Sequence, residues 1–163
     1  MIWKLVFQFL AAGIGTAAFA GLFHAPFSIY NRCFVIGGTG WILYYVLAEV
    51  FSVEVFLSTI AAAVFITFFA RVSAVVRLMP VTAFLVPAVF PLIPGIKLYY
   101  TIFSLIEGEE RAAAGYFRNA VAILIAIVFG ILVAFEIPNK VFLAIGGKIH
   151  TLRRFRNKIN FKK

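Results

Sequence analysis

Five apolar segments dominate this sequence, and each has about the 20 residues that a helix needs to cross a bilayer, or more. They run approximately over Trp3 to Phe23, Cys33 to Val50, Val53 to Val72, Leu78 to Ile106 and Tyr116 to Ile137. Of the 163 residues, 64% are hydrophobic and 13% are charged, whereas soluble domains carry about 25% charged residues. A soluble core of this size could not bury so much apolar surface. We therefore expect an all-α integral membrane protein with about five transmembrane helices.

The positive charges of the chain are concentrated near its C-terminus. Eight of the 15 Lys and Arg residues lie from Lys140 onward. We divide the chain into a polytopic transmembrane domain, residues 1–145, and a basic tail, residues 146–163. The positive-inside rule places such a tail in the cytoplasm, where it would contact anionic lipid headgroups. A basic patch without a reading element is weak evidence for nucleic acid, and we expect no nucleic-acid partner.

The charges beside the connections predict the topology in the cell membrane. Arg32, Arg71 and Arg77 lie beside the first and third connections, and two glutamates lie beside the second. With five crossings these charges alternate, which places the N-terminus outside and the basic connections and tail inside. A re-entrant hairpin in the fourth segment would instead leave four crossings and move the N-terminus inside.

Residues for metal binding and hydrolysis are scarce in this sequence. It has one cysteine, Cys33, two distant histidines, His24 and His150, and six glutamates as its acidic residues. Neither H-E-x-x-H nor G-x-S-x-G occurs, so metal hydrolysis and serine nucleophile chemistry both lack parts. We expect a protein that is not an enzyme and that uses no metal or cofactor.

Glycines in the second segment indicate close helix packing. Its sequence contains Gly37-Gly38-Thr39-Gly40, followed by Trp41. Small residues let helix backbones approach each other in lipid, where burial of Leu gives no net drive. We expect Gly37, Gly40 and Trp41 to serve helix packing. Packing within the subunit and an oligomeric or heteromeric interface are both open at this point.

The fourth segment has helix-breaking residues at its centre. In FLVPAVFPLIPGIKLYYTIFSLIEGEE, three prolines and a glycine interrupt an apolar run. Proline removes an N–H group and frees the carbonyl four residues back, so we expect free carbonyls at Ala83, Pro87 and Phe90. Broken backbone is tolerated in a membrane only inside protein or beside a watery cavity. The segment is therefore predicted to form two half-helices.

The second half-helix is predicted to form an anion site. Proline is favoured in the first turn of a helix, and the free N–H groups and the dipole at that end favour an anion. Discontinuous helices near the midplane form substrate sites in many secondary transporters. Polar side chains recur along it at intervals of three and four residues: Lys97, Tyr100 or Thr101, Ser104 and Glu107. A cation and hydroxyls beside a helix N-terminus suit a carboxylate.

These features also have structural interpretations, which the sequence leaves open. Proline kinks are common in transmembrane helices, and Lys97 could extend to an interface as a snorkelling cation. Glu107 is a candidate proton carrier because it is an ionisable group at the edge of an apolar segment. It could equally be a solvated loop acid beside Glu109 and Glu110.

The broken segment resembles a known family. RVSAVVRLMPVTAFLVPAVFPLIPGIKLYYTIFSLIEGE is similar to the threonine/serine exporter family, specifically its small membrane-only component, and to the small subunit of the split succinate exporter. The matching pieces are P-x-T-x-F-L-V-P from Pro80 to Pro87, P-L-I-P-G from Pro91 to Gly95, and Tyr99. GGTGWILYYVL in the second segment also resembles the family.

The resemblance implies a multi-pass exporter of small amino acids or dicarboxylates that pairs with a larger subunit of the same family. It implicates Pro91, Pro94, Gly95 and Tyr99, with Ser104 as a weaker match. With the residues predicted from the polar pattern, the expected substrate-binding set is Pro91, Pro94, Gly95, Lys97, Tyr99, Tyr100 and Ser104. A homo-oligomer and a non-transporting scaffold or assembly subunit are the alternatives.

Overall fold

The computed structural model describes residues 2–145. The regular elements in this part of the chain are helices, with no strand among them. The six main helices are α1 (Ile2–Leu22), α2 (Tyr30–Tyr45), α3 (Val55–Arg77), α4 (Thr82–Val89), α5 (Gly95–Ile106) and α6 (Glu110–Phe135). Shorter elements are the 3₁₀ turns Phe27–Ile29 and Phe90–Leu92, the π-helical turn Val46–Val50, and a helical stretch at 139–145. The predicted basic tail lies outside the described residues.

Four helices in this part of the chain are long and apolar enough to span a membrane, and the bent pair Thr82–Leu92 and Gly95–Ile106 forms a fifth candidate. The two halves of the pair are inclined by 52°. The predicted all-α membrane fold, with its fourth segment broken into two half-helices, is confirmed. The third span is longer than predicted. It ends where Leu78 adopts a left-handed conformation and the Met79 N–H closes on the carbonyl oxygen of Ala74.

Helices α3 and α6 run side by side in the same direction. Five residues before the end of α6, a Cβ at Gly130 would lie 2.7 Å from the Cβ of Ala63 in α3. Near the ends of both helices, Arg71 contacts the carbonyl oxygen of Ala134. Because both helices end on the same side of the bundle, the segment between them returns the chain to the side where α3 began. The bent pair therefore runs from one side of the helix bundle to the other, which is the path expected of a broken span and not of a re-entrant hairpin.

Glycines allow α2 to lie between α1 and α3 at short distance. A Cβ at Gly37 would overlap Thr16 of α1, and a Cβ at Gly40 would overlap Ile66 of α3. Two faces of α2 are thus covered within the subunit. The sequence left open whether these glycines pack within the subunit or at an interface, and the contacts observed are within the subunit.

A buried arginine closes the C-terminal end of α6. Arg71 is only 6% exposed, and its Nη1 donates to the carbonyl oxygens of Ala134 at 2.7 Å, Phe135 at 3.2 Å and Ile137 at 2.9 Å. Its Nη2 donates to Oδ1 of Asn139 at 2.5 Å. The last carbonyls of a helix have no intrahelical donors, and a cation there also opposes the negative end of the helix dipole.

Aromatic rings complete the surroundings of this guanidinium. The ring centroids of Phe135 and Phe142 lie 5.1 Å and 4.1 Å from Cζ of Arg71, within the range of cation–π attraction. From the sequence, Arg71 was predicted to lie beside the third connection. Because α3 continues to Arg77, Arg71 instead lies within the helix and joins α3 to the end of α6.

Replacing Arg71 by Met should destabilise the fold. Methionine retains an apolar stem but removes the charged donor from the carbonyl oxygens of Ala134, Phe135 and Ile137, and hydrogen bonds to charged groups are individually strong enough that we expect a cost of about 3 kcal/mol. Thermal unfolding of the detergent-solubilised protein measures this, with Arg118→Met as the matched control because Arg118 is exposed on α6. Equal melting temperatures for the two variants would contradict the assignment.

Candidate functional site

The break in the fourth span is closed by local hydrogen bonds. The N–H of Phe90 donates to the carbonyl oxygen of Pro87, and the N–H of Ile93 donates to that of Phe90 at 3.1 Å. The Sγ of Cys33, a weak donor, lies 3.8 Å from the carbonyl oxygen of Ala83. The expectation of free carbonyls at these three positions was wrong, because the 3₁₀ turn after α4 supplies donors at shorter range to Pro87 and Phe90 and the thiol of Cys33 lies against the carbonyl of Ala83.

Pro94 turns the chain into the second half-helix. Its φ of −79° and ψ of 56° match the central residue of an inverse γ-turn, and the Gly95 N–H donates to the carbonyl oxygen of Ile93 at 2.8 Å. No side chain caps the start of α5. Gly95 is exposed, and a Cβ there would have no atom within 4 Å. The N-terminal end of α5 thus borders open space.

The predicted polar pattern of α5 is divided between two environments. Thr101 and Ser104 are buried, on a helix whose main contact is with α6. The hydroxyl of Thr101 donates to the carbonyl oxygen of Lys97 at 2.8 Å, and Lys97 itself is half-buried. The ring of Tyr100 stacks on Tyr116 of α6 with centroids 5.4 Å apart. Part of the pattern therefore serves packing of α5 on α6.

The opposite face of α5 is exposed and mostly apolar. Tyr99 is 62% exposed, and its ring stacks on that of Phe103 with centroids 6.0 Å apart. Ile96 and Ile102 are exposed on the same helix. Glu107 lies exposed at the C-terminal end of α5. Tyr99 and Glu107 are therefore exposed, whereas Ser104 is buried.

A cleft of about 280 Å³ lies between α1, α2 and the turn after α4. Its lining residues are Gln8, Ala11, Ala12, Gly15 and Phe19 of α1, Trp41 of α2, and Phe90 and Pro91 of the turn. None of these described residues is charged. Within residues 2–145, no group of three or more His, Cys, Asp or Glu side chains could hold a metal ion. The cleft borders the break through one of the predicted site residues, Pro91.

A hydrogen bond between two helices forms one wall of this cleft. The Nε1 of Trp41 donates to Oε1 of Gln8 at 2.7 Å. The two meet because Gly38 lets α2 approach α1, where a Cβ would lie 3.1 Å from the carbonyl oxygen of Phe9. Trp41 lies three residues further along α2 and so shares the face of Gly38. Trp41, which the sequence predicts to serve helix packing, thus also lines the cleft.

Gln8 was not among the site residues predicted from the sequence. Gln8 is the single glutamine of the chain and lies in an apolar segment. A polar side chain within a membrane span needs a partner, and an amide commonly finds it on a neighbouring helix. That isolated amide was the available signal, but its partner could not be named without the register between α1 and α2.

Comparison with known proteins identifies a family. Residues 8–137 match the family described as Threonine/Serine exporter, ThrE, and this range includes Gln8, Trp41 and the broken span. No curated protein and no solved structure was found to match the chain. The match to the family covers most of the 163 residues. The resemblance noted in the sequence is thereby confirmed, and the chain belongs to the threonine/serine exporter family, a family of membrane transporters.

Proposed function

We propose that this chain is one half of a two-component secondary transporter that exports a small amino acid or dicarboxylate, of the threonine/serine or succinate type. The observation that carries the proposal is the break in a membrane-crossing span at Pro91 to Gly95, where the start of α5 borders open space. Discontinuous helices near the bilayer midplane form the substrate sites of many secondary transporters. The family supplies the direction of transport, which is export.

The proposed substrate site begins at the N-terminal end of α5. Pro91, Pro94 and Gly95 form the turn that exposes this end, and the positive end of the helix dipole favours the carboxylate of the substrate. Lys97, half-buried in the first turn, would add a positive charge. This arrangement supports a carboxylate ligand whether or not it also carries an ammonium group.

The remaining members of the proposed site lie further along α5. The exposed Tyr99 offers its hydroxyl on the open face, and Tyr100 lies at the edge where α5 meets α6. Ser104 is only 4% exposed, so it would reach a ligand only if α5 moved relative to α6. Tyr99 therefore has stronger structural support than Ser104.

A partner subunit is supported by the packing of α5. Among the described helices, its extensive contacts are with α6, and its other face exposes Ile96, Tyr99, Ile102 and Phe103. We propose that the larger subunit of the family covers this face, with a second copy of this chain as the alternative. A non-transporting scaffold has less support, because Gly37 and Gly40 already pack within the subunit.

The charge distribution supports an N-terminus outside the cell and a C-terminus in the cytoplasm. Five of the six glutamates lie at the side where α1 and α6 begin, whereas Arg32, Arg77 and Lys140 lie at the opposite side. Positive connections favour the cytoplasm. Glu107, the proposed proton carrier, would then face the outside, from which protons enter during exchange for an exported molecule.

The proposed function is tested by measuring export of labelled serine, threonine and succinate from cells that express this chain alone or together with a larger family subunit. We expect export only when both chains are present. Export by this chain alone would replace the two-component arrangement with a self-sufficient oligomer. Absence of export of all three compounds, with both chains inserted in the membrane, would contradict the proposal.

Gly95→Leu should abolish export and leave the protein folded in the membrane. The subunit has space for the side chain at this position, so the substitution blocks approach of an anion to α5 without disturbing the packing. Gly115→Leu on α6 is the matched control, because a Cβ there also meets open space. Normal export by a stably inserted Gly95→Leu variant would exclude the site at the start of α5.

Tyr99→Phe should reduce export about tenfold, the effect of losing one hydrogen bond to a charged ligand. The ring remains, so its stacking on Phe103 is retained and stability should not change. Initial rates of export measure the effect, with Tyr45→Phe on α2 as the control. An unchanged rate would assign Tyr99 to packing alone.

A further inference from the structure

We propose that the cleft between α1, α2 and the turn after α4 is a ligand-binding site in which the side-chain amide of Gln8 holds the carboxylate of the transported molecule. The inference rests on the proposed export function and adds, on α1 and α2, a second position for the carboxylate that the start of α5 is proposed to bind. Pro91 belongs both to this cleft and to the motif residues at the break. Gln8 and Trp41 are new to the site.

The hydrogen bond with Trp41 fixes which end of the Gln8 amide is available. An indole N–H is a donor only, so the amide must present its oxygen, Oε1, to Trp41. The nitrogen, Nε2, then carries two N–H groups that this bond does not use. Among the described residues, no other side-chain hydrogen bond of Gln8 is formed, and Gln8 lines the cleft. A carboxylate oxygen is the acceptor that such a pair of donors fits.

The position of Gln8 within α1 makes unused donors costly. Gln8 is six residues from the first residue of α1, which is about 9 Å along the helix axis. Within an apolar span, a polar group that faces hydrocarbon without a partner loses its hydration and gains nothing in return. The indole partner satisfies the oxygen alone. Binding of a ligand, or of water that a ligand displaces, would satisfy the nitrogen.

The size and lining of the cleft indicate which ligand it would accept. A volume of about 280 Å³ is slightly below the range of roughly 300–1,000 Å³ found for drug-sized ligands, so a small metabolite fits. None of the described lining residues is charged, so a dicarboxylate would be buried with uncompensated charge. A zwitterionic amino acid is neutral overall, and its ammonium group can lie against the face of Trp41. The cleft therefore favours serine or threonine over succinate.

The two ends of the cleft have different chemistry. Gln8 and Trp41 provide the hydrogen-bonding groups at one end. At the other end, the ring of Phe19, which lies eleven residues after Gln8 in α1, stacks on the ring of Phe90. This stack gives the cleft an apolar wall away from Gln8. A serine-sized ligand held by its carboxylate at Gln8 would occupy the polar end of the cleft, and the aromatic stack, about 16 Å further along α1, would close the end beside the break in the fourth span.

Trp41 supplies a direct measurement of binding. The chain has two tryptophans, and Trp3 is 86% exposed at the beginning of α1. In a Trp3→Phe background, fluorescence of the purified full-length protein in nanodiscs reports on Trp41 alone. We expect serine and threonine to change its emission saturably and succinate to have a weaker effect. Saturation binding of labelled serine, measured in parallel, detects a ligand that leaves the emission unchanged.

Two substitutions test the site by different means. Gln8→Leu removes both amide groups and should weaken serine binding about tenfold or more, as expected for a lost hydrogen bond to a charged group. Gly15→Leu should abolish binding by filling the cleft, because Gly15 lines it and a Cβ there has no atom within 4 Å. Gly115→Leu is again the matched control and should bind serine like the parent protein.

The outcomes separate this inference from the proposed function. Serine binding that is lost in Gly15→Leu and retained in Gly115→Leu supports the site, even if the parent protein exports nothing with any partner. Equal binding by the parent, Gln8→Leu and Gly15→Leu proteins overturns the site, even if export continues. Absence of serine binding to the parent protein in both measurements also overturns it. Tighter binding of succinate than of serine overturns the assignment of ligand class.

Discussion

A polar backbone group in a membrane must find its partner within the protein, because hydrocarbon offers none. This constraint is most severe in the fourth span, where three prolines cannot donate hydrogen bonds. The structure meets it with very local bonds: a 3₁₀ turn uses the carbonyls of Pro87 and Phe90, and a γ-turn at Pro94 uses that of Ile93. The chain can therefore change direction by 52° without leaving these carbonyls unpaired. What remains accessible at the break is the start of α5.

The same constraint explains the buried arginine. The end of α6 presents carbonyls that the following backbone satisfies only in part, and Arg71 reaches them from α3 with a charged, multiply donating group. Lysine could not match this arrangement, since its single nitrogen would have to serve both the carbonyls that Nη1 reaches and the Asn139 oxygen that Nη2 reaches. The bond network also sets the relative direction of α3 and α6. That direction in turn requires the bent pair of helices to return the chain from one side of the bundle to the other.

The helices could be predicted from the sequence, but the contacts between them could not. Apolar length predicted the spans, and the spacing of Pro87, Pro91 and Pro94 predicted the break, because both depend on local chemistry. The contacts of Arg71 with the end of α6 and of Gln8 with Trp41 depend on helix register, which a single sequence does not encode locally. The free carbonyls were predicted wrongly for a related reason: the proline rule assumes an α-helix, and the chain formed a 3₁₀ turn instead.

The two halves of the broken span belong to different parts of the bundle. Helix α4 packs on α1, α2 and α3, with Phe84 and Ala88 fully buried, whereas α5 packs mainly on α6 and leaves one face open. The cleft takes its wall from the turn that follows α4, so its geometry is fixed by the core. The start of α5 is positioned by α6 and by whatever covers its open face. A ligand at the break would contact both parts, and binding there would depend on their relative position, which is the property that alternating access in a transporter requires.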